Sequence, residues 1–365
     1  MSDGVRPLIR VGVIGCGYWG PNLIRNFARH DGARVVAVCD AQLERAEKMA
    51  SWYGVPLVTS DPAELIESSV VDLVVVATPS RTHYSLAKQA ILAGKHVLVM
   101  KPMTTQVDQA EELVDLAARH GVMLAVDHTF VYTAAVRKMR DLVVSGELGD
   151  VFYVDSVRIN LGVFQSDVNV IWDLAVHDVS IVDYVLGGVS PTEVTAVAAA
   201  HAGSWAANIA YLTMRYAPDV LAHIHVNWLA PAKIRRTIIG GSRRMVVYDD
   251  IHPSEKLLVY DRGVSIAPWS DPEDVYGALV SYRSGDMSAP NLDAREALAV
   301  EVDHLLDCIA TGTPPITDGL AGLRAVKILE AANLASGTRL SPRANWDGAA
   351  DRPALEPIPI DGLAG

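Results

Sequence analysis

The stretch Ile9-Arg-Val-Gly-Val-Ile14 runs without a break into Gly15-x-Gly17-x-x-Gly20, and helix-forming sequence follows over 21–29. A short apolar strand, a tight glycine turn and a helix start form the arrangement that receives a dinucleotide pyrophosphate. Gly15 permits the turn, and Gly17 lets the backbone come close to the phosphates. Gly20 lets helix and strand pack tightly, while the first amides of the helix face the anion. A glycine-rich turn that binds nothing would carry the same three residues, so the motif alone does not decide.

Two further features weigh on it. A second apolar run over 34–39 ends on Asp40, about 20 residues after the loop, where an acidic residue meets the adenosine ribose. A carboxylate at that strand tip accepts both ribose hydroxyls and repels a 2′-phosphate, which favours NAD over NADP. The plainer alternative is a polar residue at a strand end. The run Val71-Asp-Leu-Val-Val-Val-Ala77 then leads into Thr78-Pro79 and His83. Near-continuous Val and Leu marks a parallel strand buried on both faces.

At 365 residues, half of them hydrophobic, the chain is long enough for two domains. Its net charge of -12, with no basic block, argues against nucleic-acid binding. Cys16, Cys39 and Cys308 lack metal-ligand spacing and read as reduced, buried thiols. No apolar run reaches the ~18 residues of a membrane span, and residues 1–8 lack the apolar core of a signal peptide. A soluble cytoplasmic protein is expected, with no membrane partner.

Helical and strand patterns alternate through 9–126. Helices are expected over 21–30, 42–53, 62–67, 82–93 and 105–120, with further strands over 96–100 and 122–126. Such alternation predicts an α/β fold with a doubly wound parallel sheet of the Rossmann type, here assigned to residues 1–127. Residues 128–340 change character, with strand-like runs over 151–159, 192–200, 209–216, 221–228, 233–240, 244–248 and 256–260. Pro218-Asp219 and Gly240-Gly241 separate neighbouring runs. This predicts an α+β domain on a large, open, mostly antiparallel sheet, interrupted by a helix over 169–186. Helices over 295–311 and 320–335 are expected to pack back on the first domain, and 341–365 reads as a loose tail.

Lys101-Pro102 follows the strand over 96–100, so the lysine is delivered to the cofactor crevice. An ammonium there can hold a substrate oxygen and stabilise the charge that develops on it. Asp173 and His177, four residues apart, would share one helix face. A histidine titrates in the range needed to take a hydroxyl proton, and the aspartate could orient it or bind a neighbouring hydroxyl. Surface capping and pairing are the plainer reading of both motifs. His-x-x-x-His spacing is absent, and no metal site is expected. His128, Phe130 and Tyr132 follow the last strand of the first domain and could line a pocket or pack a hinge. Arg158 and Asn160 end a strand and could meet an anionic group or a sugar hydroxyl. Arg235-Arg236 and Arg243-Arg244 are dense basic pairs that read as facing solvent or a partner subunit.

Taken together, the glycine motif, Thr78-Pro79 with His83, Ala93-Gly-Lys-His-Val-Leu-Val-Met-Lys-Pro102, Asp173-x-x-x-His177 and Pro315-Ile-Thr-Asp318-Gly-Leu-Ala-Gly-Leu323 resemble the Gfo/Idh/MocA oxidoreductases. The resemblance runs from Arg10 to Leu340. It implies Lys101, Asp173 and His177 as catalytic residues. It implies cofactor contacts from Gly15, Gly17, Tyr18, Trp19, Gly20, Asp40, Thr78, Pro79, His83, Lys101 and Pro102. Substrate contacts are expected from Lys101, His128, Tyr132, Arg158, Asn160, Asp173 and His177. Members pair as dimers or tetramers through the second sheet, so a homo-oligomer is expected. The family's lysine usually follows a glutamate, whereas here it follows Met100. The loop from Gly17 to Leu23 and the segment around Trp172 look most like members acting on nucleotide-linked and amino sugars at C3. The expected activity is hydride transfer between NAD and a ring carbon of a sugar or cyclitol. An NADPH-dependent keto-sugar reductase, a non-catalytic dinucleotide sensor and an NAD-dependent glycoside hydrolase are the alternatives.

Overall fold

In the first sheet, runs of Val and Leu alternate with amphipathic helices, and each strand must bury both faces. The computed structural model describes residues 8–338 except 163, 166 and 267–279. The expected tail over 341–365 lies outside the described residues. Strands β1 (Ile9–Ile14), β2 (Ala33–Cys39), β3 (Leu57–Thr59), β4 (Leu73–Val76), β5 (His96–Met100) and β6 (Leu124–Asp127) form one sheet. They are parallel and ordered β3-β2-β1-β4-β5-β6. The strand order reverses between β1 and β4, and a crevice opens there at the C-terminal strand ends. Helices α1 (Gly20–Arg29), α2 (Leu43–Tyr53), α3 (Pro62–Glu67), α4 (His83–Leu92) and α5 (Val107–His120) make the crossovers. Every residue of β4 is buried, as a strand covered on both sides requires.

Helix α6 (Ala134–Val144) precedes the second sheet, and the strand-centred reading of the sequence missed it. Its signal was present: Thr133 caps it by accepting the Val136 N–H at 3.4 Å, and Val136, Met139 and Leu142 lie on one buried face. The sheet itself comprises β7 (Val151–Leu161), β8 (Glu193–Ala199), β9 (Ile209–Tyr216), β10 (Val220–Asn227), β11 (Leu229–Gly241), β12 (Met245–Asp249) and β13 (Leu257–Tyr260). A short ribbon of β14 (Gly263–Ile266) and β15 (Val280–Arg283) follows, and β16 (Met287–Ser288) closes one edge. The eight strands run β16-β13-β12-β11-β7-β10-β9-β8, antiparallel except where β10 joins β7. The Gly240-Gly241 pair ends β11 rather than making the turn. There a Cβ on Gly240 would collide with the Tyr153 ring, and one on Gly241 with the Leu148 carbonyl.

The expected helix over 169–186 begins differently from an ordinary α-helix. Residues Ile171–Ala175 form a π-helical turn before α7 (Val176–Leu186). Asn169 starts this turn, its side-chain oxygen accepting the N–H groups of Ile171 at 3.1 Å and Trp172 at 3.4 Å. Helix α8 (Ala297–Thr311) packs on α1, and α9 (Gly319–Ala335) packs on α5, α7 and β8. The Val126 N–H donates to the Thr317 carbonyl at 2.8 Å, tying the approach to α9 onto β6. Trp172 and Trp228 are fully buried beside the inner face of the second sheet. Each large apolar side chain buried in this way contributes about 1.5–3 kcal/mol. Among the described residues, no helix is long and apolar enough to cross a membrane.

Candidate active site

A cleft of about 1020 Å³ follows the C-terminal ends of β1, β2, β4 and β5. Gly15, Gly17, Tyr18 and Trp19 line one end, and Lys101, Trp172 and Asp173 the other. Gly15 has φ +101°, and a Cβ there would collide with the Ala77 carbonyl. A Cβ on Gly20 would strike the carbonyl of Gly15, so the helix start can approach the turn only without a side chain. No side chain caps α1, which leaves that helix start open to an anion. Tyr18 and Trp19 stand exposed at the mouth.

Asp40 is buried at the tip of β2. Its Oδ2 accepts the Cys16 N–H at 2.7 Å and its Oδ1 the Gln42 N–H at 2.9 Å. Each carboxylate oxygen can accept a second bond, and Asp40 lines the cleft. The sequence reading missed Arg45 of α2, which lines the same end; its Nη1 would lie 4.0 Å from a Cβ on Gly17. Only its place one turn into the helix after Asp40 could have signalled it. The neighbouring thiols stay protonated, because burial pushes Cys16 up to about 12 and Cys39 up to about 11.

Thr78 and Pro79 line the middle of the cleft. His83 is buried there, with Nδ1 2.8 Å from the Pro102 carbonyl and Nε2 2.8 Å from the Thr78 carbonyl. It therefore ties the end of β4 to the end of β5, and burial holds its pKa below the usual histidine value. Met100 occupies the position before the lysine. It is buried in the same apolar core as Leu98, Leu298 and Val302, and it pairs in register with Asp127 of β6.

At the far end Lys101 Nζ donates to the Asp173 carbonyl at 2.7 Å and to Asp173 Oδ1 at 3.2 Å. The Trp228 indole N–H donates to Asp173 Oδ2 at 3.0 Å. The aspartate thus holds the lysine and is held by the tryptophan. It makes no bond to His177, contrary to the pairing that their spacing suggested. The π-helical turn is the physical reason, since it changes the angle between residues four apart relative to an α-helix.

His177 is half-buried, with its ring 5.0 Å from that of Phe130 and its Nδ1 enclosed without a protein partner among the described residues. Burial first, then the nearby charges of Lys101 and Arg158, hold its pKa well below the ordinary value. The ring is neutral at physiological pH and can take a proton. Arg158 does not present itself to solvent or to the cleft. It is buried in a bidentate pair with Asp178, at 2.7 and 3.2 Å, with the Phe130 ring 4.3 Å from its guanidinium carbon. Asn160 is half-buried on the same strand. Arg235, expected at the surface, also turns inward over Phe130, at 5.6 Å, and pairs with Asp250 at 3.2 Å. Arg236 and Arg244 pair at the surface with Asp249 and Glu147.

His128 and Tyr132 correct the sequence expectation. Both are buried away from the cleft, and the Tyr132 hydroxyl lies 2.9 Å from the Thr317 hydroxyl under α8. The segment after β6 packs against α8, which draws both side chains inward. Among the described residues, no group of three His, Cys, Asp or Glu side chains could hold a metal ion.

The glycine cradle and the length of the cleft fit a dinucleotide. Residues 9–128 match the family described as "Oxidoreductase family, NAD-binding Rossmann fold", and residues 136–247 match the GFO/IDH/MocA C-terminal domain. The UDP-N-acetylglucosamine 3-dehydrogenase of Acidithiobacillus ferrooxidans is 29% identical over 319 residues, covering 87% of this chain and 93% of that protein. A solved structure of that enzyme superposes with a TM-score of 0.76 over 90% of this chain and 97% of that one, at 27% identity. The Escherichia coli oxidoreductase YdgJ is 32% identical over 272 residues, 71% of this chain and 75% of that protein. The D-glucoside 3-dehydrogenase of Escherichia coli is 34% identical over 152 residues, 41% of this chain and 43% of that protein. The chain belongs to the GFO/IDH/MocA family and is an NAD-dependent oxidoreductase built on an NAD-binding Rossmann domain.

Proposed function

We propose that the protein oxidises a ring hydroxyl of a sugar, at C3 and with the sugar nucleotide-linked, using NAD in preference to NADP. Residues 1–127 would hold the cofactor and 128–340 the substrate. The observation that carries this reading is the Lys101–Asp173–Trp228 chain at the end of the cleft, with a neutral His177 within range of the Lys101 charge. The relatives point to C3, because two that act on different sugars are both named 3-dehydrogenases.

Bound NAD would supply the hydride acceptor, held by the glycine turn and by Asp40. Lys101, fixed by Asp173, donates a hydrogen bond to the substrate oxygen and stabilises the negative charge that grows on it. His177 would take the hydroxyl proton on Nε2, since its Nδ1 is enclosed. In the reverse direction the same nitrogen returns the proton.

The test is NADH formation by the purified protein with UDP-N-acetylglucosamine, methyl glucoside and myo-inositol, each with NAD and with NADP. A kcat lowered by about 10²–10³-fold in Lys101→Ala, with NAD binding retained, supports the reading. No NADH from any of the three sugars refutes it. A second reading, reduction of a keto-sugar with NADPH, is favoured by Arg45 beside Asp40. Tighter binding of NADPH than NADH would select it.

The outer face of the second sheet exposes Tyr153, Val197, Tyr211 and Leu221, a surface suited to pairing with a second copy. A monomer by sedimentation would refute that pairing. Free buried thiols agree with a cytoplasmic location, which secretion of the native protein would contradict.

A further inference from the structure

Buried polar atoms in a folded protein are almost always hydrogen-bonded, and those that are not call for an explanation. Most such atoms among the described residues belong to four residues, His177, His128, Asp127 and Glu301. They are His177 Nδ1, both ring nitrogens of His128, Asp127 Oδ2 and both carboxyl oxygens of Glu301. Asp127 and Glu301 are each 1% exposed and His128 is 2% exposed. Asp127 ends β6, and its Oδ1 accepts the Thr129 N–H at 3.1 Å and the Thr129 hydroxyl. Its Oδ2 has no partner, and neither have the oxygens of the Glu301 carboxyl, which enters from α8 and acts on Asp127.

Two carboxyls that act on each other and are sealed from water strongly disfavour being ionised together. Burial and the Asp127 charge push Glu301 well above the ordinary carboxyl range. Burial raises Asp127 too, but the Thr129 bonds, Glu301 and the Lys101 charge act to keep it ionised. The balance favours the proton on Glu301 and the charge on Asp127. His128 lies within range of the Lys101 charge, and His177 within range of His128. Lys101, Arg158 and Arg235 are the cations that act on His177, while Tyr132 adjoins Glu301.

We infer that Asp127 and Glu301 form a one-proton store, linked through His128 and internal water to His177, which receives the proton that the reaction releases. In the oxidising direction the substrate O–H bond breaks and an N–H bond forms at His177 Nε2. The proton on Nδ1 then passes through water to one nitrogen of His128, and the proton on the other nitrogen moves on to Asp127. The pair ends with two protons and no charge, and no electron moves in these steps. The relay rests on the dehydrogenase reading, whereas the store does not.

Infrared spectroscopy of the whole protein in H₂O and D₂O tests the store without any substrate. A deuterium-sensitive carbonyl band of a buried carboxylic acid at neutral pH is expected, absent in Glu301→Gln and kept, at a shifted frequency, in Asp127→Asn. Melting temperatures across pH give a second readout. An unfolded glutamate ionises above its ordinary pKa while the buried one keeps its proton, so this pair loses stability as pH rises. The wild-type melting temperature should fall further towards alkaline pH than that of Glu301→Gln. No carboxylic-acid band, or one unaffected by Glu301→Gln, overturns the proposal whatever the substrate is. During a single turnover the band should gain intensity as NADH forms, and this gain should vanish in His128→Phe. A band that ignores turnover overturns the relay, and absence of turnover overturns only the sugar reading.

Discussion

The two ends of the cleft satisfy their polar groups in opposite ways. At the cofactor end, Asp40 and His83 are bonded to backbone atoms of neighbouring loops. Behind the other end, His128, His177, Arg158 and Arg235 each bury an atom without a protein partner among the described residues. Backbone groups occupy fixed places and set a rigid cradle. Side chains with unmatched hydrogen-bonding capacity are held by packing and charge instead. On the proposed function, the contrast separates the end of the cleft that would hold the cofactor from the end where the reaction would take place.

Lys101→Ala should break the reacting half most. Loss of the donor to the substrate oxygen is expected to lower kcat by about 10²–10³-fold. NAD affinity by calorimetry should stay unchanged, and an equal loss of binding would erase the distinction between the two ends. Asp178→Ala leaves the buried Arg158 charge unpaired, which should cost about 3–5 kcal/mol of stability in denaturant unfolding. A cost below about 1 kcal/mol would show that Arg158 reaches water.

Trp228→Phe removes one of the donors to Asp173. A drop in kcat of about tenfold, with the melting temperature nearly kept, is the expected outcome. Asp40→Ser should shift the NAD-to-NADP ratio of Kd by about tenfold towards NADP, and no shift would leave cofactor choice to Arg45.

A further effect is one of pH. His128 falls to about 3 in the folded protein because burial opposes its charge, whereas the unfolded residue takes a proton near the ordinary histidine value. Its contribution to stability is therefore complete at neutral pH and lost progressively as pH falls towards 3. Melting of His128→Phe should decline less between pH 6 and pH 4 than wild type. His177, also held neutral, predicts a kcat that stays level into mildly acidic pH.

Much of the cofactor half was legible in the chain because its parts are neighbours in sequence. The strand, turn and helix of the glycine motif span residues 9–29, and Asp40 bonds to the turn it follows. The reacting half was legible only as a set of residue types. Lys101 and Asp173 meet across 72 positions, and Trp228 reaches Asp173 across 55. The helical spacing of Asp173 and His177 suggested a pair, and the π-helical turn that separates their roles leaves no mark in a hydrophobic pattern. Arg235 and Arg236 look alike in sequence, yet strand alternation turns one inward over Phe130 and leaves the other at the surface.

By itself the sequence determined the parallel sheet, the glycine cradle and the family, since local periodicity and a motif of fixed spacing are enough to specify them. Tertiary structure alone decided which group holds Lys101, where the Tyr132 hydroxyl points and how Glu301 of α8 meets Asp127 of β6. Those outcomes depend on which side chains are sealed from water together, and burial is a property of the assembled layers rather than of any stretch of chain.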